Sequence, residues 1–103
     1  MVVKPKKIAA LMATIKRCLE TGNYIDSRHV LVRQSERMIT RLELFYVLEH
    51  GFHEPKKDNF KPEYNEWNYS VRGKTFEERS LRVIVSFDKK TQLLIITAID
   101  LDK

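Results

Sequence analysis

Two hydrophobic periods divide this chain. In the N-terminal half, Ile8, Leu11, Met12, Ile15 and Leu19 recur at the spacing of one helix face, and Gly22 follows where such a helix would stop. Asp26-Ser27 can cap a second helix running toward Arg37. The stretch "TRLE", Thr40 to Glu43, has capping-box form ahead of Leu44, Phe45, Val47 and Leu48, and Gly51 is placed as a C-cap.

After Gly51 the period shortens to two. "WNYSVRG" alternates Trp67, Tyr69 and Val71 with Asn68, Ser70 and Arg72, a strand with one apolar face. "LRVIVSF" and "LLIITAI" are β-rich runs separated by "DKKT", Asp88 to Thr91, and read as a hairpin central to a sheet. "FHEPKKDNF" is an edge strand or a loop, because Pro55 cannot donate to a ladder. Helices first and antiparallel strands after predict an α+β domain. Two or three N-terminal helices pack on a four-stranded, mostly antiparallel sheet.

At 103 residues the chain is expected to form a single domain over 1–103, with residues 1–6 as a loose basic tail. Nineteen Lys and Arg against fourteen Asp and Glu give a formal charge of +5, which favours an anionic partner such as nucleic acid, an acidic protein or a lipid surface. The single cysteine, Cys18, permits no internal disulfide and fits a reducing cytoplasm. No stretch approaches the apolar length of a membrane-spanning helix, so no membrane partner is expected. "MVVKPKKIAALMATI" superficially resembles a signal peptide, but its apolar run breaks at Lys16-Arg17 without a small-residue cleavage site.

The segment "SRHVLVRQSER", Ser27 to Arg37, carries the first candidate chemistry. On a helix, Arg33, Glu36 and Arg37 lie within about 80° of His29 around the axis, with Leu31 and Met38 pointing the other way. This stripe is either a solvated face, with Glu36 pairing to Arg33, or half of a phosphate-handling site in which His29 moves a proton.

A second cluster is "SVRGKTFEERSLRV". Arg72, Lys74, Arg79 and Arg82 lie on or between two neighbouring strands, and Gly73 permits a bend or a close backbone approach. Lys74 and Thr75 offer a point charge and a hydroxyl to phosphate, while Glu77 and Glu78 favour an ordinary charged loop. Arg82 points away from Leu81 and Val83 and needs a partner or a purpose if that face is covered.

Ser86 and Thr97 interrupt apolar runs and read first as hydroxyls bonded to backbone. Trp67, Tyr69, Tyr64 and Phe60 are either core packing or stacking surfaces for single-stranded RNA. His50 and His53 lack metal-ligand spacing, and no phosphate loop or other cofactor motif is present, so no metal or cofactor is expected. Asp100 and Asp102 read as a frayed acidic terminus.

The order "SRHVLVRQSERMI", "LFYVLEHG", "WNYSVRGKT", "LRVIVSF" and "LLIITAIDL" resembles the small bacterial proteins grouped as domain of unknown function 4258, over about residues 23–101. The resemblance implies the fold of barnase, EndoU, colicin and RelE-type ribonucleases. It also implies metal-independent RNA cleavage, often by the toxin of a toxin–antitoxin pair. His29 and Arg33 match the family's histidine and the arginine four residues on. Arg37 lies near its second arginine, and Lys74 with Thr75 matches its basic turn. Val30 stands where alanine is common.

The expected site is therefore His29, Arg33 and Lys74 as catalytic groups, with Arg37, Arg72, Thr75, Arg82 and Trp67 binding phosphate or RNA. The expected partners are RNA, including ribosome-bound mRNA or tRNA, and an antitoxin protein. The competing expectation is a non-catalytic RNA- or antitoxin-binding module on the same fold. A helix-turn-helix over Ser27–Arg37 and Thr40–Glu49 ranks lower, because "RLELFYVLEH" is too apolar and acidic for a recognition helix.

Overall fold

The computed structural model describes residues 4–26, 39–88 and 92–102. The first helix, α1 (Leu11–Thr21), buries Leu11, Ile15 and Cys18. It ends at Gly22, whose φ of 73° lies in the left-handed region that glycine enters without steric cost. A three-residue strand follows, β1 (Tyr24–Asp26). The helix expected from Ser27 toward Arg37 falls on residues outside the described ones.

Helix α2 (Arg41–His50) begins with the expected capping box. The Glu43 N–H donates to the Thr40 hydroxyl at 3.1 Å, and the Thr40 N–H donates to the Glu43 carboxylate at 2.9 Å. The reciprocal bonds satisfy two donors that a helix start otherwise leaves open.

The chain then forms β2 (Phe52–His53), a 3₁₀ turn (Pro55–Lys57) and β3 (Asn59–Lys61), followed by β4 (Glu66–Lys74), β5 (Ser80–Asp88) and β6 (Gln92–Asp100). The fold is α+β, with two helices among the described residues and a sheet of six strands rather than the expected four. The sheet is mixed: β4, β5 and β6 form an antiparallel meander, and β1 pairs with β6 in parallel. Both β2 and β3 pair antiparallel with β4. The additional strands are two or three residues long, too short to show an alternation in sequence.

Both helices pack on one face of this sheet. Leu44, Val47 and Leu48 of α2 and Ile15 of α1 meet Val71, Leu81, Val83, Val85, Leu93 and Ile95, all fully buried. Each such side chain contributes about 1.5–3 kcal/mol by leaving water. Two glycines set how closely α2 and β4 approach. A Cβ at Gly51 would lie 2.5 Å from the Arg72 carbonyl oxygen, and one at Gly73 would lie 3.0 Å from Gly51 Cα. Gly73 therefore serves the close backbone approach that its place in the strand suggested.

Residues 4–8 lie along the β3–β4 side of the fold. The Trp67 indole donates to the Pro5 carbonyl at 2.8 Å, the Ile8 N–H donates to the Tyr69 hydroxyl at 2.8 Å, and Lys7 pairs with Asp58 at 2.9 Å. The C-terminal aspartates are not frayed. Asp100 is buried and accepts from Arg79 Nε at 2.8 Å, and the Asp102 carboxylate accepts from the Ser80 N–H at 3.0 Å. Arg79 also reaches Glu43, so the β4–β5 turn and the end of β6 are tied to the start of α2.

Candidate functional site

Strand alternation gives the sheet a second face, on which none of the described helices packs. Opposed residues of antiparallel strands share a face. The pairs Arg72–Arg82 and Ser70–Ile84 therefore lie opposite the core pairs Val71–Val83 and Tyr69–Val85. Thr97, facing Ile84, and Ile99, facing Arg82, continue this outer face onto β6. A bulge between Ile84 and Val85 leaves Ile96 as the extra residue of β6, so Ile96 and Thr97 both reach the outer side.

Two cavities run along this face and share Lys61, Asn68 and Ile96, so they form one trough. One end, about 400 Å³, is lined by Lys57, Asn59, Ser70, Arg82 and Thr97. The other, about 380 Å³, is lined by Tyr64, Glu66, Ser86, Asp88 and Leu94. The β3–β4 hairpin supplies one wall and β6 the opposite one.

Arg72 and Arg82 stand directly opposite each other, an arrangement of like charges that costs energy by itself. Glu54 resolves it. Its carboxylate accepts from Arg82 Nε at 2.9 Å and lies 3.6 Å from an Arg72 guanidinium nitrogen. The hydrogen bond from Arg82 holds the Glu54 carboxyl below the usual glutamate range. Burial opposes that shift, and the charge of Arg72 adds to it. The backbone fixes Glu54 there, since its N–H donates to the Ser70 carbonyl at 2.8 Å.

The other expected residues are distributed as follows. His29, Arg33 and Arg37, with Glu36, lie outside the described residues. Lys74 is the last residue of β4, on the same outer side as Arg72 by strand alternation. Its side chain is 64% exposed, and its ammonium lies 3.4 Å from Glu78. Thr75 is buried at 3%, with its hydroxyl accepting from the Glu77 and Arg79 N–H groups at 3.2 Å each. It organises the turn from Lys74 to Arg79.

Trp67 lies on the helix-facing side of β4, against Phe60 at 5.5 Å and beneath Lys4 and Lys7. The structure thus brings Arg72 and Arg82 together, leaves Lys74 further along the strand, and puts Trp67 on the opposite face. Ser86 behaves as a hydroxyl bonded to backbone, donating to the Trp67 carbonyl at 2.8 Å.

Sequence reasoning missed Glu54, Lys57, Asn59, Lys61, Asn68 and Ile96. Asn68 carried a signal, because it shares the polar side of β4 with Ser70 and Arg72. Glu54, Lys57, Asn59 and Lys61 come from the Pro55 segment, which has no period to assign a face. A second unforeseen cluster centres on Asp58, whose fully buried carboxylate meets Lys7 at 2.9 Å, His53 Nε2 at 2.7 Å and the Ser70 N–H at 2.9 Å. It joins the N-terminal segment to β2 and β4.

Among the described residues, no group of three or more His, Cys, Asp or Glu is placed to hold a metal ion. Among them, no helix is long and apolar enough to cross a membrane. No curated protein and no solved structure matches the chain. A family model does match, over residues 27–100, and the chain belongs to that family, Domain of unknown function (DUF4258).

Proposed function

We propose that this protein is a metal-independent endoribonuclease that holds RNA against the sheet face opposite its described helices. The observation that carries this reading is the trough, where Arg82, Lys57 and Lys61 stand among amide and hydroxyl side chains on a surface no described helix occupies. Cations positioned among neutral polar groups suit a phosphate backbone. The net charge of +5 brings a polyanion to them.

In such a reaction the substrate's 2′-oxygen bonds to phosphorus as the P–O5′ bond breaks. A base takes the 2′-hydroxyl proton, an acid gives one to the departing 5′-oxygen, and a 2′,3′-cyclic phosphate remains. His29 is the residue proposed to carry a proton. Arg33, Arg37, Lys74 and the Arg72–Arg82 pair are proposed to stabilise the phosphorane charge. The reading carries with it a barnase- or RelE-type relationship, a bacterial cytoplasmic setting, an antitoxin partner, and RNA either free or on the ribosome.

A specific observation favours a second reading, a non-catalytic RNA- or antitoxin-binding module. Among the described residues, those lining the trough include no histidine, and the Lys74 ammonium lies 3.4 Å from Glu78. One experiment separates the two. Purified protein is incubated with RNA in EDTA, with His29→Ala and Arg82→Ala beside the parent, and binding is measured in parallel. Cleavage by the parent, loss of cleavage with retained binding in His29→Ala, and weakened binding in Arg82→Ala are the expected results. Intact RNA, free and on ribosomes, with binding retained, establishes the binding module instead.

A further inference from the structure

We infer that the trough seats one unpaired RNA base at its Tyr64 end with the adjoining phosphate at its Arg82 end, which makes single-stranded RNA the substrate class. This inference rests on the preceding reading that the sheet face holds RNA. It comes from an asymmetry between the two ends of one continuous cavity.

The Arg82 end carries the cations Lys57 and Arg82 and the hydroxyl of Thr97 over a floor that includes Ile84 and Ile99, and no carboxylate is among its described lining residues. The Tyr64 end is apolar within, through Leu94 and Ile96, and carries carboxylates at its rim, Glu66 and Asp88. A phosphate is repelled by that rim. A base is not, because its exocyclic amino groups donate to carboxylates while its flat faces rest on apolar and aromatic side chains. The Tyr64 ring is 76% exposed and free of the core, so it can lie against a base without disturbing the fold.

Cation at one end and carboxylate at the other therefore match the polarity of a nucleotide, phosphate to base. The bulge at Ile96 contributes to both ends, since this residue lines each cavity. The shared Lys61 bridges them, and the volume of about 380 Å³ at the Tyr64 end lies in the range of small-ligand sites. A duplex cannot use this seat. Its bases are stacked on both faces and paired along the edge the carboxylates would contact, and A-form grooves offer mainly backbone and 2′-hydroxyls.

The test measures binding of the intact protein, in EDTA and at one salt concentration, to three probes of equal phosphate content. These are a short oligocytidylate, an abasic ribose-phosphate strand of the same length, and a blunt RNA duplex. The oligocytidylate is expected to bind about tenfold more tightly than either of the others, the range that one stacked base supplies. Tyr64→Ala is expected to remove that preference while leaving abasic-strand affinity unchanged. Arg82→Ala is expected to weaken all three. Equal affinity for the base-bearing and abasic strands, or for the duplex, overturns the base seat and leaves the RNA reading standing. No measurable binding of any probe by the parent overturns both.

Discussion

Arg72 and Arg82 oppose each other across two strands and depend on one carboxylate to do so without cost. Because Glu54 is held below the usual glutamate range by these arginines, its linkage has a defined sign. A group whose folded pKa is depressed adds stability above its unfolded value and loses it as pH falls through the folded one. Denaturation midpoints measured down an acid series should therefore show a slope below the ordinary glutamate range that Glu54→Gln flattens. At neutral pH the same variant should be less stable than the parent, because two guanidiniums are left facing each other. An acid slope unchanged by Glu54→Gln would show that the ion pair has no thermodynamic role. Arg82 was legible in the sequence as a cation on a polar strand face. Its partner was not, because Glu54 lies in a segment whose Pro55 breaks any alternation, and pairing across a sheet edge leaves no mark along the chain.

At the level of elements, α2 is fixed at both ends by different means. Its start is the Thr40–Glu43 capping box, readable as a four-residue motif, to which the structure adds the Arg79 guanidinium and, through it, buried Asp100. Arg79→Ala should destabilise the fold by about 3 kcal/mol, since it removes the cation opposite two buried carboxylates. Thr40→Ala should cost only about 1 kcal/mol, the worth of a cap. Urea denaturation of the two variants checks the order, and a smaller loss for Arg79→Ala would contradict it. The other end is Gly51, whose φ of −80° would suit any residue. Glycine is required there because a Cβ would meet the Arg72 and Val47 carbonyl oxygens at 2.5 Å. Gly51→Ala should therefore lower stability by about 2 kcal/mol or more, as overpacking against backbone does. The existence of α1 and α2, the cap and the strand faces were thus readable locally. The short strand β1 was not, and β2 and β3 were legible only as an edge strand or a loop, because each is defined by what it pairs with.

Across the whole molecule, the three long strands form a meander in the last third of the chain, and the helices that cover it come first. The α+β class follows from that order of periods, while the six-stranded mixed sheet depends on pairings between distant residues. The parallel pairing of β1 with β6 sets Tyr24 against Leu93 and Asp26 against Ile95, so a strand made early waits for one made near the end of the described chain. That feature has a consequence for biosynthesis. During translation the apolar faces of α1 and α2 emerge before β4, β5 and β6, the long strands that bury them. Assembly therefore cannot proceed from the N-terminus by increments. A nascent chain arrested after Asp88 should remain protease-sensitive, whereas one extended past Asp102 and free of the ribosome should become resistant in a single step. For a protein proposed to cut RNA, this dependence on β6 would keep the trough, one wall of which β6 supplies, unformed until that strand has left the ribosome.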